Sequence, residues 1–460
     1  MSRAGPAGTM TDVRKAIAGW VVLVVLLVAP AIWNGFPLVF YDTAGYLGNF
    51  RYPASPPFYT AWVVVTSLRT WPELVVLAQG LATAVFLITV FSVVVPAARR
   101  RTRYATVLAI VAVLPGQLPW LVSWLMPDFL AGIAFLSVIV LMLFWNGAPR
   151  LQKALLASFV LFGCLVATAN VALCAMLCAV CFVLRAWVAG QALWKGRVVL
   201  PAAAVGSCVI FAILLMMAAN MVRLGKAEYS PVTGTMTFAR LADVGLAQPQ
   251  MPALCARKRY PICAFLPELA RHHRHEQNFL WDGLADRTDA FGAGNADYAE
   301  LGRQIIAADP VGYMREGLAD GLALAAHPTL DEPEYEELRP QGADWGAGQR
   351  LTPRMAATLD RLSAARQQHR TLLAAYAGRF YRGATFLSYV LLALLSWRSG
   401  RKGDRAGAAL GLATFAAIGL EIVLHGLLVG PYPRYHTKVS WLGWVVVVAL
   451  VARWRRRAPA

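Results

Sequence analysis

The chain has 460 residues, of which 58% are hydrophobic and 15% charged, with a mean hydropathy of +0.53. That apolar share exceeds what a soluble globular domain carries and points to a membrane protein. The formal net charge of +18 does not argue for nucleic-acid binding, because the basic residues stand in short clusters between apolar runs of membrane-spanning length, as in cytoplasmic loops.

Arg14 and Lys15 introduce an apolar run from Ile17 to Trp33, read as a retained first span that starts inside. Pro37-Leu38-Val39-Phe40-Tyr41-Asp42-Thr43-Ala44-Gly45-Tyr46 follows outside, then Arg51 and the proline-rich stretch Tyr52 to Tyr59. Phe58 to Leu68 is too short to cross and suits an interfacial helix. The next span, Glu73 to Val95, ends at Arg99, Arg100, Arg101 and Arg103. A third, Tyr104 to Met126, carries Pro115 and Pro119, which predict a kink. It turns at Met126-Pro127-Asp128 into a fourth span ending near Trp145. The apolar stretch Ala154 to Leu184 is about 31 residues long, more than a ~30 Å hydrocarbon core takes, and predicts two spans meeting near Thr168-Ala169-Asn170.

Arg185, Lys195 and Arg197 mark the inside again before a seventh span, Val198 to Met221. A polar region (222–382) follows, with most of the acidic residues, His272, His273 and His275, and Cys255 and Cys263. The last spans are Thr385 to Trp397, Ala408 to Val429 and Thr437 to Trp454, separated and ended by further basic clusters. The expected fold is therefore an all-α polytopic membrane protein of about ten transmembrane helices. It divides into an N-terminal membrane module (1–221), an outer-face, mainly helical domain (222–382) and a C-terminal membrane module (383–460). Both termini and every basic cluster fall inside. Cys164, Cys174, Cys178, Cys181 and Cys208 lie in apolar segments as small buried hydrophobes, whereas Cys255 and Cys263 predict a disulfide in an oxidising compartment.

This topology collects Asp42, Arg51, Asp128, Asn170 and the stretch Pro431-Tyr432-Pro433-Arg434-Tyr435-His436-Thr437-Lys438 on the outer face. Two carboxylates on separate turns can act as a general base or hold a divalent cation, and Arg434 and Lys438 suit an anionic phosphate. Each has a plainer reading: Asp128 as a helix cap, Asp42 as part of a turn, and the basic aromatic stretch as an interfacial anchor. Glu421 and His425 are spaced i, i+4 in an apolar span and share a face, as a functional pair or a structural hydrogen bond. The adjacent histidines around Arg274 cannot all face one ion from a regular helix. Phe279-Leu280-Trp281-Asp282 reads either as a lid or as part of a small core. Walker-type and dinucleotide glycine motifs and a nucleophile elbow are absent from the sequence.

Tyr41-Asp42-Thr43 with Tyr46, then Arg51 and the proline-rich stretch before an interfacial helix, then Pro127-Asp128, and finally Arg434-Tyr435, together resemble the GT-C class of membrane glycosyltransferases. The likeness is to the branch that includes protein mannosyltransferases and the lipid A aminoarabinose transferase, and it covers residues 14 to 220 best. The loop from Phe238-Ala239-Arg240-Leu241 through Cys255, Cys263 and Trp281-Asp282 looks like that of a family of uncharacterised bacterial membrane proteins.

The resemblance implies transfer of a sugar from a polyprenyl-phosphate donor, with inversion, to a glycan, lipid or protein of the cell envelope. Asp42 would be the general base and Asp128 its partner, since Thr43 stands where that branch commonly has a second acidic residue. Arg434, Lys438, Tyr435, His436 and Arg51 are expected around the donor phosphate, and Tyr41, Tyr46 and Asn170 around the substrate. No nucleotide is expected, a divalent cation (Mg or Mn) is allowed, and no metal ligands are specified. The expected setting is the bacterial inner membrane with the site on the periplasmic face. The alternatives are a lipid or glycan transporter or flippase, and a non-catalytic assembly subunit of the same fold.

Overall fold

Long apolar runs satisfy their own backbone hydrogen bonds only as helices, and the protein is an all-α, multi-pass membrane protein. Its computed structural model describes residues 10–40, 42–46, 55–68, 70–98, 102–272, 278–281, 283–329, 359–369, 371–372 and 374–454. Tyr41, Arg51, His273, His275 and Asp282 lie outside the described residues.

The principal helices in chain order are α1 (Met10–Asn34), α2 (Pro57–Thr66), α3 (Pro72–Val94), α4 (Thr102–Val113), α5 (Leu118–Ser123), α6 (Phe129–Phe144), α7 (Arg150–Val166) and α8 (Thr168–Ala189). They continue with α9 (Gly196–Leu224), α10 (Thr233–Asp243), α11 (Asn295–Ala308), α12 (Pro310–Ala326), α13 (Ala374–Arg401), α14 (Arg405–Leu428), α15 (Pro433–Ser440) and α16 (Leu442–Trp454).

Eight stretches among the described residues are long and apolar enough to cross a membrane: those in α1, α3, α6, α8, α9, α13 and α14, and the run through α15 and α16. The remaining two of the ten expected crossings are shorter. Pro115 and Pro119 give a complete break between α4 and α5 rather than the predicted kink, because neither can donate a helical hydrogen bond. Gln117 sits in that break, its amide N–H donating to the Pro328 carbonyl and, at 3.4 Å, to the Ser440 hydroxyl. The other, α7, has 17 residues, or about 26 Å of helix against a core of about 30 Å. It stops at Ala167, close to the predicted junction, where Asn170 donates to the Gly163 carbonyl at 2.8 Å and bridges α7 to α8.

One buried cluster runs through the helical bundle, and a second lies within the polar region between Phe238 and Ile305. In the second, Phe238, Phe279 and Tyr298 pack with ring centroids 4.8 to 5.2 Å apart, so Phe279 is a core residue there and not part of a lid. Cys255 and Cys263 are joined by a disulfide nearby. Arg240 of α10 ties this region to the bundle. It is buried, pairs with Asp320 of α12, lies 3.8 Å from Asp243 and donates to the Gly426 carbonyl of α14 at 2.7 Å.

At the end of the bundle away from Asp42, Arg453 pairs with Asp404 at 2.9 Å and donates to the Val94 carbonyl at 2.6 Å. Arg185 donates to the Leu143 carbonyl at 2.7 Å at the same end. Arg398 and Lys402 stack on Trp454, and Lys153 on Trp145, which is how basic residues and aromatics anchor helix ends at an interface.

Candidate functional site

The site forms where the loop after α1 meets the loop after α5. Leu38 and Trp124 make an isolated parallel bridge, with Leu38 donating to the Ser123 carbonyl and Leu125 donating to the Leu38 carbonyl, each at 2.9 Å. Thr43 reinforces it: its hydroxyl accepts from the Phe40 N–H at 2.9 Å and donates to the Leu125 carbonyl at 3.3 Å. The Gln367 side chain clamps the other edge of the first loop, accepting from the Val39 N–H at 3.0 Å and donating to the Val39 carbonyl at 2.7 Å. Buried amide pairs of this kind fix a loop because any slip would leave polar groups unpaired in an apolar setting. The result is that Asp42 and Asp128, 86 positions apart in sequence, stand at one end of the bundle.

The cations come from α15. Arg434 lies 3.0 Å from Asp42, donates to the Tyr435 hydroxyl at 3.0 Å, and has its guanidinium 4.5 Å from the Phe40 ring centre. One helical turn on, Lys438 lies 2.9 Å from Asp128 and 4.3 Å from the Tyr435 ring centre. Gly132, four residues after Asp128, permits this approach, since a Cβ there would fall 2.6 Å from both the Lys438 carbonyl and the Trp441 ring.

Asp128 precedes α6 but makes no side-chain cap hydrogen bond, so its carboxylate serves Lys438 and not the helix end. The Asp42 pair is partly exposed, whereas the Asp128 pair is 4% exposed on the carboxylate and 13% on the lysine. Two cations facing two carboxylates leave this part of the cluster electrically neutral, which makes partial burial affordable.

Behind them, Glu421 and His425 on α14 are both buried. The His425 Nδ1 lies 3.3 Å from Glu421 Oε1, and its ring stacks on Tyr435 at 4.3 Å. Neither carboxylate oxygen of Glu421 has a hydrogen-bonded partner, and the group interacts electrostatically with Lys438 and Asp128. Tyr46 packs edge-on against Tyr59 at 5.0 Å. Burial, and then the nearby Asp42 and Asp128 carboxylates, push its phenol well above the usual tyrosine range. Tyr59 in turn donates to Gln79, whose amide N–H groups hold the Val122 and Trp124 carbonyls at 2.7 and 2.8 Å.

Of the residues singled out in the sequence, Asp42, Asp128, Arg434, Tyr435, Lys438 and Tyr46 come together. His436 does not join them. Its two ring nitrogens are engaged by the Leu324 carbonyl at 2.9 Å and the Tyr389 hydroxyl at 2.8 Å, leaving neither for a donor phosphate. Asn170 is spent on the α7 to α8 junction. Gln79, Gln367 and Gly132 shape the site without having been singled out for it, and Phe40 and Thr43, named only as part of the first loop, shape it too. Among the described residues no group of three or more His, Cys, Asp or Glu side chains that could hold a metal gathers, and Asp42 and Asp128 each face a cation.

Comparison of the chain with models of protein families, with characterised proteins and with solved structures gave no match.

Proposed function

We propose that the protein transfers a sugar from a polyprenyl-phosphate donor to a hydroxyl group of a cell-envelope glycan, lipid or protein, as its resemblance to GT-C membrane glycosyltransferases implies. The observation that carries the reading is the meeting of Asp42 and Asp128 with Arg434 and Lys438 at one end of the bundle. Base and phosphate-binding cations are the two kinds of group that such a transfer requires. Asp42, the more exposed carboxylate, accepts the proton of the acceptor hydroxyl as its oxygen bonds to the anomeric carbon. The bond from that carbon to the phosphate oxygen breaks, and Arg434 and Lys438 stabilise the departing lipid phosphate. One displacement inverts the anomeric centre. No step runs through a metal.

A groove of about 340 Å³ between α1 and α3, lined by Val28, Ile32, Phe36, Val76 and Leu77 together with Glu73, supports the reading by offering largely apolar walls to a prenyl tail beside Pro37. The gathering of basic residues at the far end supports a bacterial inner-membrane protein with cytoplasmic termini and a periplasmic site. A second reading, a lipid or glycan transporter or flippase, draws on Glu421 and His425 inside a membrane helix.

The test is transfer of a labelled sugar from a panel of polyprenyl-phosphate sugars by protein in lipid nanodiscs. Asp42→Asn is expected to lower turnover by about 10² to 10⁴-fold, with the protein still folded. Transfer retained by Asp42→Asn would remove it as the base, and movement of lipid without release of polyprenyl phosphate would favour transport.

A further inference from the structure

The two cations suited to a phosphate already hold anions, and those anions are the carboxylates that the reaction needs. Arg434 and Lys438 lie one turn apart on α15, each beside the Tyr435 ring, so both charges can reach a single phosphate. Arg434 is held by Asp42 at 3.0 Å and Lys438 by Asp128 at 2.9 Å. Glu421, buried on α14, lies within electrostatic reach of the same ammonium. Phosphate suits a guanidinium and an ammonium one turn apart, with more acceptor oxygens than a carboxylate offers.

We infer that the site is masked by its own carboxylates, and that a phosphate group displaces Asp42 from Arg434 and Asp128 from Lys438 when it binds. The inference rests on the lipid-phosphosugar reading and deepens it. While Asp42 is paired with Arg434 at 3.0 Å, its carboxylate is occupied by the guanidinium. Once phosphate takes the guanidinium, the carboxylate is released to accept a proton, so the donor itself arms the base. Donor binding therefore precedes productive acceptor binding. The premature route, in which water is activated in an empty site, is closed. No bond is made or broken in the exchange; only ion partners change.

The experiment measures binding of three probes to the full-length protein in nanodiscs: polyprenyl monophosphate, inorganic phosphate and the neutral polyprenol. Removing the competing charge with Asp42→Asn is expected to tighten binding of polyprenyl monophosphate about tenfold, while Arg434→Gln weakens it by a similar factor. Tightening toward inorganic phosphate alone would identify free phosphate as the ligand, and tightening toward the lipid form well beyond it would identify the lipid headgroup; both support displacement. Asp128→Asn supplies an independent readout, because phosphate should raise its melting temperature more than that of the wild type.

Equal affinity of Asp42→Asn and wild type for both phosphates, weaker binding, no binding by either protein, or equal tightening toward polyprenol would overturn the inference. A wild type that binds the phosphate but transfers no sugar defeats the transferase reading alone. Transfer by a wild type whose affinity Asp42→Asn leaves unchanged defeats the masking alone.

Discussion

Lys438 and Asp128 provide the sharpest energetic test, because both are largely withdrawn from water and each is the other's principal counter-charge. Removing one partner of a buried pair costs about 3 to 5 kcal/mol, since the remaining charge has lost its water and its neighbour. Asp128→Asn should fall at the lower end, about 3 kcal/mol, because Lys438 retains the Tyr435 ring face. Lys438→Met keeps the aliphatic stem but strands Asp128, and about 3 kcal/mol is expected again. The double variant leaves no uncompensated charge, so its cost should fall well below that of either single variant, instead of the ~6 kcal/mol expected by addition. Reversible unfolding in mixed micelles, followed by tryptophan fluorescence, measures all three. Costs that add to within about 0.5 kcal/mol would show that the two groups do not interact in the folded protein.

Three further outcomes follow from the same geometry. Arg240→Ala should destabilise the protein by about 3 to 5 kcal/mol by removing the buried guanidinium that faces Asp320 and Asp243 where the polar region meets the bundle. Protease nicking of the polar region in Arg240→Ala no faster than in wild type would contradict that tie. Gly132→Ala places a methyl against the Lys438 carbonyl and Trp441. The overpacking should cost about 1 to 3 kcal/mol and weaken phosphate binding, and an unchanged unfolding midpoint would count against this close approach. Glu300 is held below the usual carboxylate range by hydrogen bonds from Lys258 and Tyr260. A depressed folded value means the contribution is present above about pH 4.3, the ordinary glutamate value, and is lost as pH falls through the folded one. Glu300→Gln should therefore reduce the acid sensitivity of amide exchange in α11, and an identical acid profile would contradict this.

The membrane helices were legible because hydrophobic length is a local property. The run from Ala154 to Leu184 is too long for one crossing, and the chain does break at Ala167. What Pro115 and Pro119 do together was not legible, since whether prolines kink or end a helix is decided by the packing around them, and Gln117 in the break bonds to partners more than 200 positions away. The same limit applies at the site. Asp42, Asp128, Arg434 and Lys438 stand out as charges beside apolar runs. Gln367, which clamps Val39 across 328 positions, has no local signal whatever. Gln79 had one, a lone amide in an apolar helix, and it secures both the second loop and Tyr59. His436 misled because sequence shows a neighbour of Arg434 and Lys438 but not which way its ring turns on α15.

The central claim is that these four charged groups converge on one lipid-linked phosphosugar, and a structure with polyprenyl-phosphate sugar bound tests it most directly. The account predicts phosphate oxygens within hydrogen-bonding distance of both Arg434 and Lys438, the prenyl chain lying among the membrane helices, and the Asp42 carboxylate turned toward the anomeric carbon. A phosphate bound elsewhere, with the Arg434–Asp42 and Lys438–Asp128 pairs intact, would contradict it.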